Sequence, residues 1–218
     1  MPSPERLESL QQSWVRLVAK YGVTAADAYP PFDLLAAAYS SPDRHYHNLD
    51  HLHEMFRVAG RLALSTDDAG AVQLAIWFHD AVYDARSKDN EARSADLCVD
   101  LLAPVGVPAS ALEKVVRMIR ATAHGSMEQP PPDRDTGVLL DADLAILGAT
   151  EERYRQYAAD IRREYAWVPD AEYRGGRAAV LERFLARPRL YWHELTFEEG
   201  EARARANLRA ELGELGAG

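Results

Sequence analysis

The dipeptide His79-Asp80 lies inside the run Ala75-Ile76-Trp77-Phe78-His79-Asp80-Ala81-Val82-Tyr83. Burying an ionised carboxylate in so apolar a segment is costly unless something pairs with it. The pair therefore either closes a hydrogen-bonded polar network or helps to bind a cation. Its surroundings favour the cation. Histidines cluster upstream at His45, His47, His51 and His53, and a second aspartate-bearing apolar run, Val138 to Leu147, carries Asp141 and Asp143. Imidazole nitrogen and carboxylate oxygen suit Zn, Mn, Fe, Co or Ni, and the lack of thiolates argues against a structural zinc site. A mononuclear site needs more than two ligands. His51, four residues before Met55 and seven before Val58, flanks an apolar stripe and is the best third. Asp143 is the best fourth, because an unpaired charge inside an apolar helix is unfavourable. Asp141 competes with it, but residues two apart on a helix point about 200° away from each other, so both do not reach one ion.

Helical spacing dominates the elements that must position these residues, and strand alternation is scarce. Pro4 opens a first helix to about Tyr21, with Leu7, Leu10, Trp14, Leu17 and Val18 on one face and Gly22 ending it. A short helix covers Phe32 to Tyr39. Asn48 caps another that runs to about Leu64. Further helices fall at about 67–84, 89–103, 109–122, 136–148, 151–166, 171–187 and 197–212. The helix over 67–84 would place His79 and Asp80, about 100° apart in direction, at an edge facing a cleft. Gln129-Pro130-Pro131-Pro132-Asp133 is the clearest break. No repeat, low-complexity tract or long linker divides the chain. The expectation is an all-α protein, one domain over 1–218.

The chain has 218 residues, 47% of them hydrophobic, which allows a sizeable core. Its net charge of -9 argues against a nucleic acid polymer bound through a broad basic surface. A small phosphorylated substrate remains compatible, since a metal supplies local positive charge. The one cysteine, Cys98, sits among apolar residues and reads as a buried structural thiol. No apolar run approaches the roughly 20 residues of a membrane span, and no apolar segment follows the N-terminus as a signal peptide requires. A cytoplasmic protein without membrane partners is expected.

The order His51, His79-Asp80, Asp143 resembles the HD superfamily of metal-dependent phosphohydrolases. More narrowly, four blocks resemble a bacterial subgroup of that superfamily. They are Arg44-His45-Tyr46-His47-Asn48-Leu49-Asp50-His51-Leu52, Phe78-His79-Asp80-Ala81-Val82-Tyr83-Asp84, Asn90-Glu91-Ala92-Arg93-Ser94-Ala95 and Asp141-Ala142-Asp143-Leu144-Ala145-Ile146-Leu147-Gly148. The later stretch from Arg177 to Leu185 and the Ala206-Asn207-Leu208 tail fit as well, so the resemblance covers nearly the whole chain. It implies an HD-type helical bundle in which His51, His79, Asp80 and Asp143 surround one divalent ion (Mn, Fe, Co, Ni, Zn or Mg), with metal-activated water attacking phosphorus. Asp80 could both bind the ion and orient that water. Members with two ions carry extra histidines between the His-Asp pair and the last aspartate. This chain has only His124 there, which favours a mononuclear site unless His47 or His124 is recruited.

Other residues are candidates with structural alternatives beside them. His47 could orient a substrate phosphate, act as general acid or join the metal; the alternative is a cap or solvent contact. His45 and His53 read as surface or structural. Asp84, four residues after Asp80, could be the general acid for the leaving group or a boundary residue with a local hydrogen bond. Arg44 could grip phosphate through its planar fork or bridge to an acid. Lys88 is a second cationic candidate, with a solvated charge as its alternative. His124 before Gly125 could face the cleft or serve as a C-cap. Asn90 and Glu91 read as a helix start. Asp141 reads as a cap or as support for the ligand set. Trp14, Trp77, Phe78, Trp167 and Trp192 read as core, and Arg203, Arg205 and Arg209 as a solvated face. The expected function is cleavage of a phosphate ester or anhydride in a small, nucleotide-like metabolite. The alternatives are a non-catalytic, metal-containing nucleotide-binding regulator and a di-iron oxygenase, the latter needing more histidines between residues 80 and 143 than the chain has.

Overall fold

The helix carrying His79 lies at the centre of the molecule because its sequence leaves it no polar face. In the computed structural model, which describes residues 4–123 and 133–216, Val72, Leu74, Ala75, Ile76, Trp77 and Phe78 are all essentially inaccessible. In chain order the helices are α1 (Pro4–Ala19), α2 (Ala25–Tyr39), α3 (Leu49–Arg61), α4 (Ala69–Phe78), α5 (Asn90–Leu102), α6 (Ala109–Ala121), α7 (Arg134–Leu144), α8 (Glu151–Glu164), α9 (Asp170–Leu185) and α10 (Glu194–Gly216). Short 3-10 turns follow α3 at Ala63–Ser65 and α7 at Ala145–Gly148. Among the described residues every regular element is helical, and none is long and apolar enough to cross a membrane.

Two apolar cores share this bundle. The larger gathers α1 to α7 around Trp14, Phe32, Leu52, Met55 and Trp77. Trp77 meets Trp14 edge-on at 5.6 Å and Phe32 at 5.9 Å, and the Trp14 indole donates to the Ala28 carbonyl at 2.8 Å. The smaller is built by α8, α9, α10 and the turn after α7, around Ile146, Tyr154, Leu181, Tyr191 and Leu208. α7 joins the two: Val138 and Leu139 belong to the first core and Leu144 to the second. Asp143 therefore sits on the seam between them.

Several element ends differ from the sequence reading. α2 begins at Ala25, capped by Thr24, and carries Pro30 and Pro31 inside it. Two missing N–H groups are tolerated because Ala28, Pro31, Phe32 and Leu35 are buried against the first core. The predicted helix over 67–84 ends at Phe78, for reasons that belong to the site. The helix at 136–148 is α-helical only to Leu144 and tightens into a 3-10 turn. Asn48 caps α3 as expected, accepting the Asp50 N–H at 2.8 Å. Gly22 takes φ 86° after α1, a conformation that suits glycine. Trp14, Trp77 and Phe78 are core residues, but Trp167 is about half exposed.

The turn that follows Asp143 presses against α10. A Cβ added at Gly148 would lie 3.0 Å from both the Cα and the carbonyl oxygen of Gly200, and 2.8 Å from the Tyr191 hydroxyl. Backbone cannot swing aside as a side chain can. Gly148→Ala is expected to destabilise the protein by about 1–3 kcal/mol. A denaturant titration with unchanged helical circular dichroism in the folded baseline would check this.

Candidate functional site

Three helices deliver the donor atoms to the seam: α3, the end of α4 and α7. His51 stands in the first turn of α3, on the same stripe as Met55 and Val58, and is 2% exposed. His79 caps α4, and its Nδ1 donates to the Ile76 carbonyl at 2.9 Å, which leaves Nε2 of the neutral ring as an acceptor facing the site. Asp143 is in the last turn of α7.

Asp80 reaches the same point because α4 stops before it. The Tyr39 hydroxyl donates to the Trp77 carbonyl at 3.1 Å and accepts the Asp80 N–H at 3.3 Å. Arg44 donates to the carbonyls of Asp80 at 2.7 Å, Ala81 at 3.0 Å and His47 at 3.2 Å. Ser94 of α5 takes both backbone groups of Val82, at 3.0 and 3.2 Å. Helical hydrogen bonds beyond Phe78 are thus exchanged for tertiary ones, and the resulting turn re-aims the Asp80 carboxylate.

His51 Nε2 and His79 Nε2 lie 3.2 Å apart, and His79 Nε2 is 3.0 Å from Asp80 Oδ2. Asp143 Oδ1 is 3.3 Å from His51 Nε2 and 3.8 Å from His79 Nε2. Ligand bonds of about 2.1 Å put neighbouring donors of one ion about 3.0–3.5 Å apart. His51, His79 and Asp80 offer donor atoms within 4.8 Å of one another, a group that could hold a metal ion, and Asp143 approaches it through His51. The electrostatics also call for positive charge. Burial opposes protonation of His79, but the carboxylates of Asp80 and Asp143 outweigh it and raise its pKa to about 9. Burial opposes ionisation of Asp80, yet His79 and His47 hold its carboxyl well below the usual range. His51 moves the other way, lowered chiefly by burial.

His47 faces the cluster from the loop before α3, its Nε2 3.9 Å from Asp80 Oδ2. Its Nδ1 is 2.6 Å from Glu164 Oε2, and its ring stacks on Tyr83 at 4.2 Å. Burial works against its charge, but Asp80 and Glu164 together raise its pKa. Glu164, at the end of α8, is the functional candidate that sequence reasoning missed. Its Oε1 accepts the N–H groups of His45, Tyr46 and His47 at 2.8, 2.7 and 3.0 Å, and its Oε2 accepts the Tyr83 hydroxyl at 2.9 Å. The signal was available. Glu164 falls seven residues after Tyr157 and three after Ile161, on the buried stripe of α8.

The structure redistributes the remaining candidates. Arg44, expected on substrate phosphate, instead packs over the Tyr39 and Tyr83 rings and spends its guanidinium on backbone carbonyls. Asp84 is not one helical turn beyond Asp80, because the chain there is no longer helical. It is exposed, and its carboxylate accepts the Arg86 N–H at 2.9 Å. Lys88 is exposed at the cavity mouth. His124 lies outside the described residues, as does most of the proline-rich break. Asn90 begins α5 and ties both ends of its amide to the Asp84 backbone. Asp141 points away from the cluster: fully buried, it accepts the N–H groups of Trp192 and His193 at 2.7 and 2.9 Å and the Thr196 hydroxyl, anchoring the start of α10. Arg203 and Arg209 are exposed as expected, although Arg203 also donates to the Gly148 carbonyl; Arg205 is half-buried and donates to the carbonyls of Leu185, Arg187 and Pro188. His53 is exposed, and Cys98 is buried with its thiol pushed up to about 12 by burial.

Asp80, Asp143 and His47 line one end of a cavity of about 600 Å³ that extends between α8 and α9. Rings of Tyr46, Tyr157 and Tyr165 and the side chains of Leu144, Ile146, Ile161 and Phe184 form much of its wall. Such a space accommodates a small organic molecule with one end at the donor cluster. No protein-family model matches this chain, and a search of curated proteins finds no match.

Proposed function

We propose that the protein is a metal-dependent phosphohydrolase acting on a small phosphorylated metabolite. One observation carries the reading: contacts of 3.0–3.8 Å link His51, His79, Asp80 and Asp143, and the two aspartates of this cluster line a ligand-sized cavity. These four residues would hold one divalent ion. When bound, such an ion acidifies water toward a pKa of about 7 and polarises a phosphoryl oxygen.

The chain's own groups supply the rest. The Ile76 carbonyl fixes the His79 ring so that Nε2 faces the donors. Arg44 and Tyr39 hold the backbone on both sides of Asp80 and so set where its carboxylate points. Glu164 engages Nδ1 of His47 and Tyr83 fixes the ring plane, leaving Nε2 toward the cavity. From there His47 can donate a hydrogen bond to a phosphoryl oxygen, or a proton to a departing alkoxide.

The test is element-resolved metal analysis of protein purified without chelator, followed by phosphate-release assays with and without added divalent ion. About one ion per chain, with hydrolysis that a chelator abolishes and the ion restores, is the expected result. Chelator-insensitive hydrolysis, or a chain that retains no divalent ion at millimolar supply, would overturn the reading.

A further inference from the structure

We infer that the molecule taken by this cavity joins an anionic head, seated at the donor cluster, to an apolar organic body that is packed rather than read by hydrogen bonds. The choice of a phosphoryl head rests on the phosphohydrolase reading; the nature of the body rests on the cavity wall. Beyond Asp143 that wall runs through Leu144, Ile146 and Leu147, then Ile161 of α8, then Val180 and Phe184 of α9. Tyr46, Tyr157 and Tyr165 add ring faces between them.

Most uncharged polar side chains along the same wall are already engaged; the Tyr46 hydroxyl, buried with no hydrogen-bond partner among the described residues, is one exception. Ser87 donates to Asp89, both ends of the Asn90 amide bond the Asp84 backbone, and the Thr122 hydroxyl donates to the Ile119 carbonyl at 2.7 Å. Arg177, the buried cation of the lining, is held by Glu211 at 2.7 and 3.0 Å, with its other amine 3.4 Å from the Tyr157 hydroxyl. Of the other charged lining residues outside the donor cluster, Lys88, Glu172 and Arg183 are solvent-exposed, and Glu91 and Arg187 are half-buried. A base or a sugar brings donors and acceptors that need fixed partners, and each one buried without a partner lowers affinity roughly tenfold. An alkyl chain or an unsubstituted ring carries no such requirement and gains from every contact with this wall.

The experiment compares the full chain, loaded with the divalent ion it retains, on hexyl phosphate, phenyl phosphate, ribose 5-phosphate and adenosine monophosphate. In parallel, hexylphosphonate and methylphosphonate, which cannot be hydrolysed, are titrated calorimetrically. The expected outcome is a kcat/KM at least about tenfold higher for the hexyl or phenyl ester, and hexylphosphonate binding at least about tenfold tighter than methylphosphonate. Val180→Asp is expected to erase that hexyl-over-methyl ratio, which serves as its own control for folding. Hydrolysis that favours ribose 5-phosphate or adenosine monophosphate, or equal binding of the two phosphonates, overturns the inference and leaves the hydrolase reading standing. Tighter hexylphosphonate binding with no ester hydrolysed supports the apolar cavity and removes the hydrolase.

Discussion

Replacing His79 by alanine is expected to give a folded helical protein that retains no divalent ion and releases phosphate at least about a thousandfold more slowly. The imidazole places its nitrogen within 3.8 Å of all three other donors: 3.2 Å from His51 Nε2, 3.0 Å from Asp80 and 3.8 Å from Asp143. Without it the remaining donors are two carboxylates and one imidazole. The fold survives because the apolar burial of α4 comes from Leu74, Ile76, Trp77 and Phe78, all untouched by the change. A thermal melt separates this from a purely structural role. A ligand that binds only the folded state raises Tm with its concentration. Adding the divalent ion should therefore raise Tm in the wild type and leave it unmoved in His79→Ala. If the His79–Asp80 pair were only a polar network of the core, the variant would melt lower, yet the ion would affect both proteins alike.

The parts of this architecture that could be read in the sequence are those governed by local periodicity. The stripe of His51, Met55 and Val58 fixes which side of α3 is buried, and with it where the imidazole points. Asp141 and Asp143 separate onto opposite sides of α7 for the same angular reason: one anchors α10 and the other faces His51. What stayed hidden depends on contacts between distant segments. Nothing within 67–84 announces a helix end at Phe78, because the groups that capture the backbone there are Tyr39, Arg44 and Ser94, from elsewhere in the chain. Arg44 shows the same limit, since its side chain bridges the loop before α3 and the turn after α4. Charge counting misses Arg205, whose guanidinium satisfies the carbonyls of Leu185 and Arg187 near the end of α9. Glu164 is one of several acids in a charged helix, and only its register with Tyr157 and Ile161 marks it out.

Glu164→Gln is expected to weaken the protein and slow its chemistry while sparing the metal. Burial alone would raise the Glu164 pKa, but hydrogen bonding and charge from His47, with the N–H groups of His47 and Tyr46, bring it down to about 2 from an ordinary 4.5. A carboxyl whose pKa is depressed by folding stabilises the folded state above its unfolded pKa, and this stabilisation fades as pH falls through the folded value. The wild type should therefore lose about 3 kcal/mol between pH 4.5 and pH 2 through this group alone. Glutamine, which does not titrate, should flatten that part of the stability curve and lower stability at pH 7 by a similar amount. Its carboxamide can still accept backbone N–H groups, but it cannot hold the His47 ring through a charged contact at 2.6 Å. Loss of that anchor should lower kcat by roughly 10- to 100-fold. Glu164 itself is not among the donors that meet at the cluster, so ion stoichiometry and the ion-induced rise in Tm should persist. An unchanged kcat in a variant with reduced stability would make Glu164 a structural strut and withdraw His47 from the chemistry it is proposed to serve.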